Sequence, residues 1–472
     1  MPGLFPAPVL ASLAAFPSRP AIEAGSRTVT RGELLAMVRR LADGMRAAGL
    51  GPGVGVAMVL STSPEAYAAH LAAHALGCRV AAARPGWSPP QLAGALRTAD
   101  VVVADLPVPG PALAPAELLD RPDPGGPVPD LALADDIARL TYTSGSTGRP
   151  KACAHTYRAI SLAYRADRWA PALARLLTGF DRCLIPESLA SPVMFTYLGR
   201  CLVVGGTAAF PDGLPLAEAI ERHRVTATMM PPARLQQLLL GAPAGLGSLR
   251  AVVLGGSPAG PALLRAATER LGPVVWQGYG QGEAGVISML TPQDILAGYE
   301  ASVGRPLPAV RVAIRDGEIC VRSPHMMAGY WDDPEQTAEV LRDGWLHTRD
   351  LGHLDAGGLL HLTGRARDVI MVNAEVCYAG AIERVLAAHD RVAQAYVVGA
   401  PDPMTGEAVH AFVVPTGGPE PDRQSLLDLV RQRLSANSVP KSITMIRDVP
   451  LTASGKPDRN ALQRRTGVMP DR

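Results

Sequence analysis

The sequence predicts an α/β protein, with a large layered N-terminal domain followed by a small α+β C-terminal domain. Three observations lead there. The chain has 472 residues, more than one ordinary core holds. Short β-rich runs alternate with longer helical patterns over most of the length. Near residue 367 this alternation gives way to a compact unit of roughly 100 residues, a common domain size.

The elements follow in order. A helix is expected over 31–48, where Leu34, Leu35, Val38, Leu41 and Met45 recur at helical spacing and Gly49 follows as a stop. A buried strand over 53–60 and a helix over 65–76 come next, and further strands at 101–104, 137–142 and 251–254. The segment 107–129 is rich in Pro, Ala and Gly and reads as a surface connection. Near the end, strands at 369–372, 396–398 and 411–414 are joined by helices at 379–389 and 423–434. The boundary at Arg367 gives domains 1–366 and 367–472.

Apolar residues make up 47% of the chain, the ordinary globular range. Forty-five Lys and Arg against 43 Asp and Glu leave a net charge of +2, which gives no support for a nucleic-acid or anionic-membrane partner. Six cysteines lie far apart and read as reduced thiols. The ten histidines are scattered, without the close His/Cys/carboxylate spacing of a zinc site. The N-terminus lacks a basic segment, and no apolar run reaches the ~18 residues of a membrane span. A cytoplasmic protein with no membrane insertion is expected.

The strand at 137–142 runs into Thr143-Ser-Gly-Ser-Thr-Gly-Arg-Pro-Lys151. Gly145 and Gly148 allow successive N–H groups to turn inward as an anion nest, and Thr143, Ser144, Ser146, Thr147 and Lys151 add donors. The spacing is not that of a Walker loop, because Pro150 directly precedes Lys151. A polar surface turn has the same composition.

The whole string resembles the signature of the adenylate-forming superfamily, which includes acyl- and aryl-CoA ligases, peptide-synthetase adenylation domains and luciferases. Further motifs follow in the family's order. Gly255-Gly256-Ser257 resembles the adenine-contacting loop. Gly278-Tyr279-Gly280-Gln-Gly-Glu283 resembles the segment whose tyrosine stacks on adenine and whose glutamate helps hold magnesium. Asp350 matches the ribose-binding aspartate, Arg365 a second nucleotide-binding residue, and Lys456 the catalytic lysine of the C-terminal segment. Taken singly, Asp350 reads as a turn residue, Glu283 as a helix-capping carboxylate and Lys456 as a surface lysine.

The resemblance implies ATP, Mg²⁺ and CoA as co-substrates, and a small-molecule acid activated as its adenylate with release of pyrophosphate. Lys456 and Glu283 would serve catalysis. The C-terminal domain would be mobile, turning about a hinge at Arg367. Ser188, Trp276 and Gly278 are candidates for the acid pocket, which suits an aryl or medium acyl acid. Several positions depart from the family pattern: Gly282 replaces Thr, Arg349 replaces Gly, Ser188-Leu-Ala190 falls where many ligases place a His or other gating aromatic, Arg367 replaces Asp or Lys, and Ala374 replaces a glycine of the acceptor tunnel. They leave open a carrier-protein acceptor, a nitrite-activating diazotase acting on amines, or an inactive nucleotide-binding homologue.

Overall fold

The computed structural model describes residues 3–143, 151–241, 245–366, 368–452 and 456–467. The expectations for Ser144, Gly145, Ser146, Thr147, Gly148 and Arg367 lie outside the described residues.

Two large sheets face a common core. A nine-stranded sheet runs from Arg305–Pro306 through Gly285–Leu290, Val275–Gln281, Ala251–Leu254, Ala227–Met230, Arg182–Leu184 and Thr207–Phe210 to the hairpin Pro20–Ala24 and Arg27–Thr30. A six-stranded sheet orders Gly329–Tyr330, Lys151–Thr156, Ile137–Thr143, Arg79–Ala82, Gly55–Val59 and Val101–Ala104. Between them, Leu34, Val38 and Leu41 of the helix Arg31–Ala47 and Tyr67 and Leu71 of Pro64–Ala75 pack against Val56 and Val80 on one side and Ile22, Cys183 and Trp276 on the other.

The helix Arg31–Ala47 starts where it does because Thr30 and Glu33 form a reciprocal capping box, each side chain accepting the other's backbone N–H. Such a cap contributes about 1 kcal/mol. Arg31 is wholly buried, and its two terminal nitrogens donate to Ser12 O and Oγ, Leu202 O and Gly206 O at 2.9–3.2 Å. In the connection expected at 107–129 the structure adds the helix Pro115–Leu119. At five residues it is too short for a periodic signal; Pro115 opens it, and Leu118 and Leu119 reach the core.

A third sheet pairs Glu318–Arg322 with Trp345–Leu354, which in turn pairs with Leu360–Arg365. The C-terminal sheet contains Val369–Val372, Glu375–Tyr378, Val392–Asp402, Gly406–Pro415 and Ser442–Met445. Its helices Ala379–Ala387 and Arg423–Arg433 bury Ile382, Leu386, Leu426 and Val430 in a separate apolar cluster. This sheet is tied to the N-terminal body by Gln236 Nε2 donating to Pro415 O at 3.2 Å and by Arg265 with Asp390 at 3.2 Å.

Candidate functional site

Asp350 is the best-connected carboxylate of the site. Tyr279 Oη donates to its Oδ2 at 2.7 Å, Gln281 Nε2 to the same oxygen at 3.3 Å, and Arg365 Nε to Oδ1 at 2.7 Å. Strand pairing produces this: Asp350 and Arg365 are direct partners across two antiparallel strands, and Tyr279 and Gln281 project from the end of Val275–Gln281. Burial and the nearby Asp350 push the Tyr279 phenol well above its usual range, so it remains a donor. The Asp350 charge raises the Arg365 pKa in the same way.

Gly255, Gly256 and Ser257 follow the strand Ala251–Leu254, whose end lies beside Gly278: a Cβ on Gly255 would stand 3.7 Å from Gly278 O. At Gly280 a Cβ would fall 2.2 Å from Gly285 O, so only glycine fits this turn toward Glu283. Glu283 Oε1 accepts from Tyr330 Oη at 2.9 Å, and Lys151 Nζ lies 5.1 Å from the Tyr330 ring centre while donating to Gln336. Sequence reasoning missed Tyr330. Its signal was the Gly329-Tyr-Trp331 run, glycine and aromatics where the chain crosses back to pair with Lys151–Thr156.

Lys456 sits on a turn closed by a bridge between Leu451 and Pro457, with Thr452 N donating to Lys456 O at 2.8 Å. The residue is exposed. The surrounding protein and the cations Arg365 and Arg84 lower its pKa, while Glu283 and Asp350 oppose that shift. The C-terminal lysine thus shares one electrostatic field with Glu283, Asp350 and Arg365, although more than 90 positions separate it from the nearest of them in sequence.

The acid-pocket candidates stand differently. Ser188 Oγ accepts from Ala190 N at 3.1 Å and so shapes its own turn. Trp276 is 6% exposed and packs into the large apolar core. Arg349 and Ala374 both adopt left-handed backbone, with φ of 62° each. At Arg349 the N–H is held by Glu318 Oε1 at 2.7 Å and the guanidinium by Glu339 at 2.8 Å. At Ala374, in the two-residue turn between Val369–Val372 and Glu375–Tyr378, the only side chain is a methyl.

One expectation is corrected. The histidines carry no close cluster in the sequence, but pairing of Cys320 with His347 across two strands brings Glu318, Cys320 and His347 together. His347 Nδ1 lies 2.9 Å from Glu318 Oε2 and 3.5 Å from Cys320 Sγ. Register between distant strands, which spacing along the chain does not reveal, made this group.

Residues 10–331 match the family model of the AMP-binding enzymes, and residues 381–456 match that family's C-terminal domain. The chain belongs to the AMP-binding enzyme family. Other AMP-binding enzymes align over nearly its whole length. A medium/long-chain-fatty-acid–CoA ligase of Mycobacterium tuberculosis is 32% identical over 95% of this chain and 87% of its own. A feruloyl-CoA synthase of an Amycolatopsis species is 33% identical over 96% of both chains. Among solved structures, the amide bond synthetase of Marinactinospora thermotolerans superposes with a TM-score of 0.83 at 36% identity, over 97% of this chain and 99% of that one. The o-succinylbenzoate CoA synthetase of Bacillus subtilis gives 0.79 at 27% identity, over 97% of each. Among the described residues no helix is long and apolar enough to cross a membrane.

Proposed function

We propose that the chain is an AMP-forming acid ligase that activates a carboxylic acid with ATP and passes the acyl group to CoA. The observation that carries this reading is Asp350 and Arg365, which the family resemblance assigns to the nucleotide, meeting at 2.7 Å with Tyr279 on the same carboxylate. The acid's carboxylate oxygen attacks the α-phosphorus. The bond to the bridging oxygen breaks, and pyrophosphate leaves with the bonding electrons. Lys456 donates to the oxygens on which charge builds, the role of a positioned cation in such a step. Asp350 accepts from the ribose hydroxyls, held in place by Tyr279, Gln281 and Arg365. Glu283 offers magnesium the hard carboxylate oxygen it prefers, braced by Tyr330, and the ion when bound neutralises phosphate charge. In the second step the thiol attacks the acyl carbon, loses its proton, and AMP departs with the electron pair.

A second reading replaces the thiol with an amine. Two observations favour it: Ala374 puts a methyl where the resemblance expects the glycine of the acceptor tunnel, and an amide bond synthetase is similar at 36% identity. Both readings are tested by measuring pyrophosphate release over a panel of acids, then product with CoA or with amines. CoA thioester formation supports the first reading and amide formation the second. Absence of pyrophosphate with every acid refutes both.

A further inference from the structure

Between the two large sheets lies a small cavity lined by His70, His74, Arg84, Arg139, Thr141 and Phe195, together with Leu189 and Ala190 of the segment that follows Arg182–Leu184. Its free volume is about 20 Å³. A single water centre needs roughly 10–15 Å³, so the space holds one or two water-sized groups, enough for the oxygens of a small head group.

Its polar lining lacks partners. Arg139 Nε and Thr141 Oγ1 are both buried with no hydrogen-bond partner among the described residues. They are two apart on one strand, Ile137–Thr143, and therefore face the same side. The groups acting on the Arg139 charge are Tyr164 and Cys153, with no carboxylate among them. Arg84 feels Glu187, so it has an acidic neighbour where Arg139 has none. The two histidines supply no negative charge. Burial first, and then Arg139, hold the His70 pKa down to about 4; burial, then His70 and Arg139, push His74 well below its usual range. An unpaired guanidinium in such a place is costly unless something pairs with it.

We propose that Arg139 and Thr141 bind an oxyanion head group in this cavity. Its source is either the distal carboxylate of a dicarboxylic acid substrate or a small free oxyanion. The proposal rests on the acid-activating reading, because Leu189 and Ala190 of the cavity lining follow the acid-pocket candidate Ser188, and Arg84, also in the lining, acts on Lys456. Arg139 is thereby a specificity-determining residue, donating two or more N–H bonds to the anion while Thr141 donates its hydroxyl. Charged hydrogen bonds of this kind discriminate by about 10–100-fold.

The test uses the full chain and a length series of α,ω-dicarboxylates (succinate, glutarate, adipate, terephthalate), each against its monomethyl ester, with sodium nitrite as the free oxyanion. Pyrophosphate release should favour one diacid over its ester at least 10-fold in kcat/KM, which assigns the distal carboxylate, or respond to nitrite, which assigns the free anion. In Arg139→Met that preference should fall to about one, and Arg139→Lys should restore part of it. Ratios near one for every pair, without a nitrite response, would overturn the proposal while leaving acid activation intact. A second readout is independent of turnover. Without ATP, the preferred anion should raise the Tm of the unaltered chain and not that of Arg139→Met, which should itself melt no lower than the parent. No shift with any of these anions, or a variant that melts several degrees lower, overturns the proposal even if no acid yields pyrophosphate.

Discussion

Arg31 and Arg139 are both guanidiniums withdrawn from bulk water, and the fold treats them in opposite ways. Arg31 is surrounded by carbonyls and a hydroxyl, with four acceptors on its two terminal nitrogens. Burial still lowers its pKa, but its hydrogen-bonding capacity is largely used. Both leave a buried Nε without a partner among the described residues, and no carboxylate is among the charges acting on either, but Arg139 lines an open space where Arg31 is enclosed by backbone acceptors. The chain can therefore satisfy a buried arginine with its own backbone, and at Arg139 it does not. A closed hydrogen-bond set fixes an architecture. An open one is a receptor, and the comparison separates the two roles by energetics rather than by residue type.

The largest effect expected from breaking this contrast is at the closed end. Arg31→Met leaves the Ser12, Leu202 and Gly206 acceptors without their donor and should cost about 3–5 kcal/mol of stability, read as a large loss of Tm. The open end, in Arg139→Met, should show no such loss. Next in size is Lys456→Ala, which removes the cation proposed to stabilise the developing phosphoryl charge. Adenylation should fall on the order of 10²–10³-fold while ATP binding persists, with pyrophosphate release and nucleotide titration as the two measurements. Near-normal pyrophosphate release would remove Lys456 from its assigned role.

A smaller effect concerns acid. His70 is buried neutral with its pKa held to about 4, below the unfolded value, so the unfolded chain binds the extra proton between those limits. Stability from this group is complete above the unfolded pKa of ~6.5 and declines as pH falls toward 4. At pH 5 the loss should be about 2 kcal/mol, and His70→Gln should flatten the Tm-against-pH curve between pH 7 and 5. An identical slope in the variant would exclude the contribution. The smallest effect is at Ala374→Gly. Releasing a left-handed alanine gains about 1 kcal/mol, partly offset by the freedom glycine has when unfolded. Arg349→Gly should gain less or lose, because its guanidinium and Glu339 are paired.

Much of the fold was legible in the sequence. The helix expected at 31–48 is Arg31–Ala47, and the strands at 101–104 and 251–254 coincide with those observed, because apolar periodicity and short apolar runs bounded by polar or glycine residues mark such elements directly. The residues around Asp350 were legible one at a time, through motif order. Their convergence was not, since Tyr279, Asp350 and Arg365 meet through strand register across three elements. The same limit hid the Cys320–His347 pairing and the Tyr330–Glu283 bond. Arg139 passed as one polar residue in a strand. Its meaning depends on what surrounds it, and a linear reading has no access to an absent counter-ion. Trp276, read as a pocket residue on its chemistry, lies in the apolar core where large aromatics most often reside.

The turn at Asn373 and Ala374 has a consequence in mutational terms. Both residues hold left-handed backbone, with φ of 51° and 62°, and Asn373 is anchored to Asn437, which in turn holds Glu375. Alanine and glycine codons differ by one base, so the relaxed turn is always a single mutation distant. If Ala374 lines the acceptor tunnel as proposed, gaining stability and opening space for a bulkier nucleophile require the same nucleotide change.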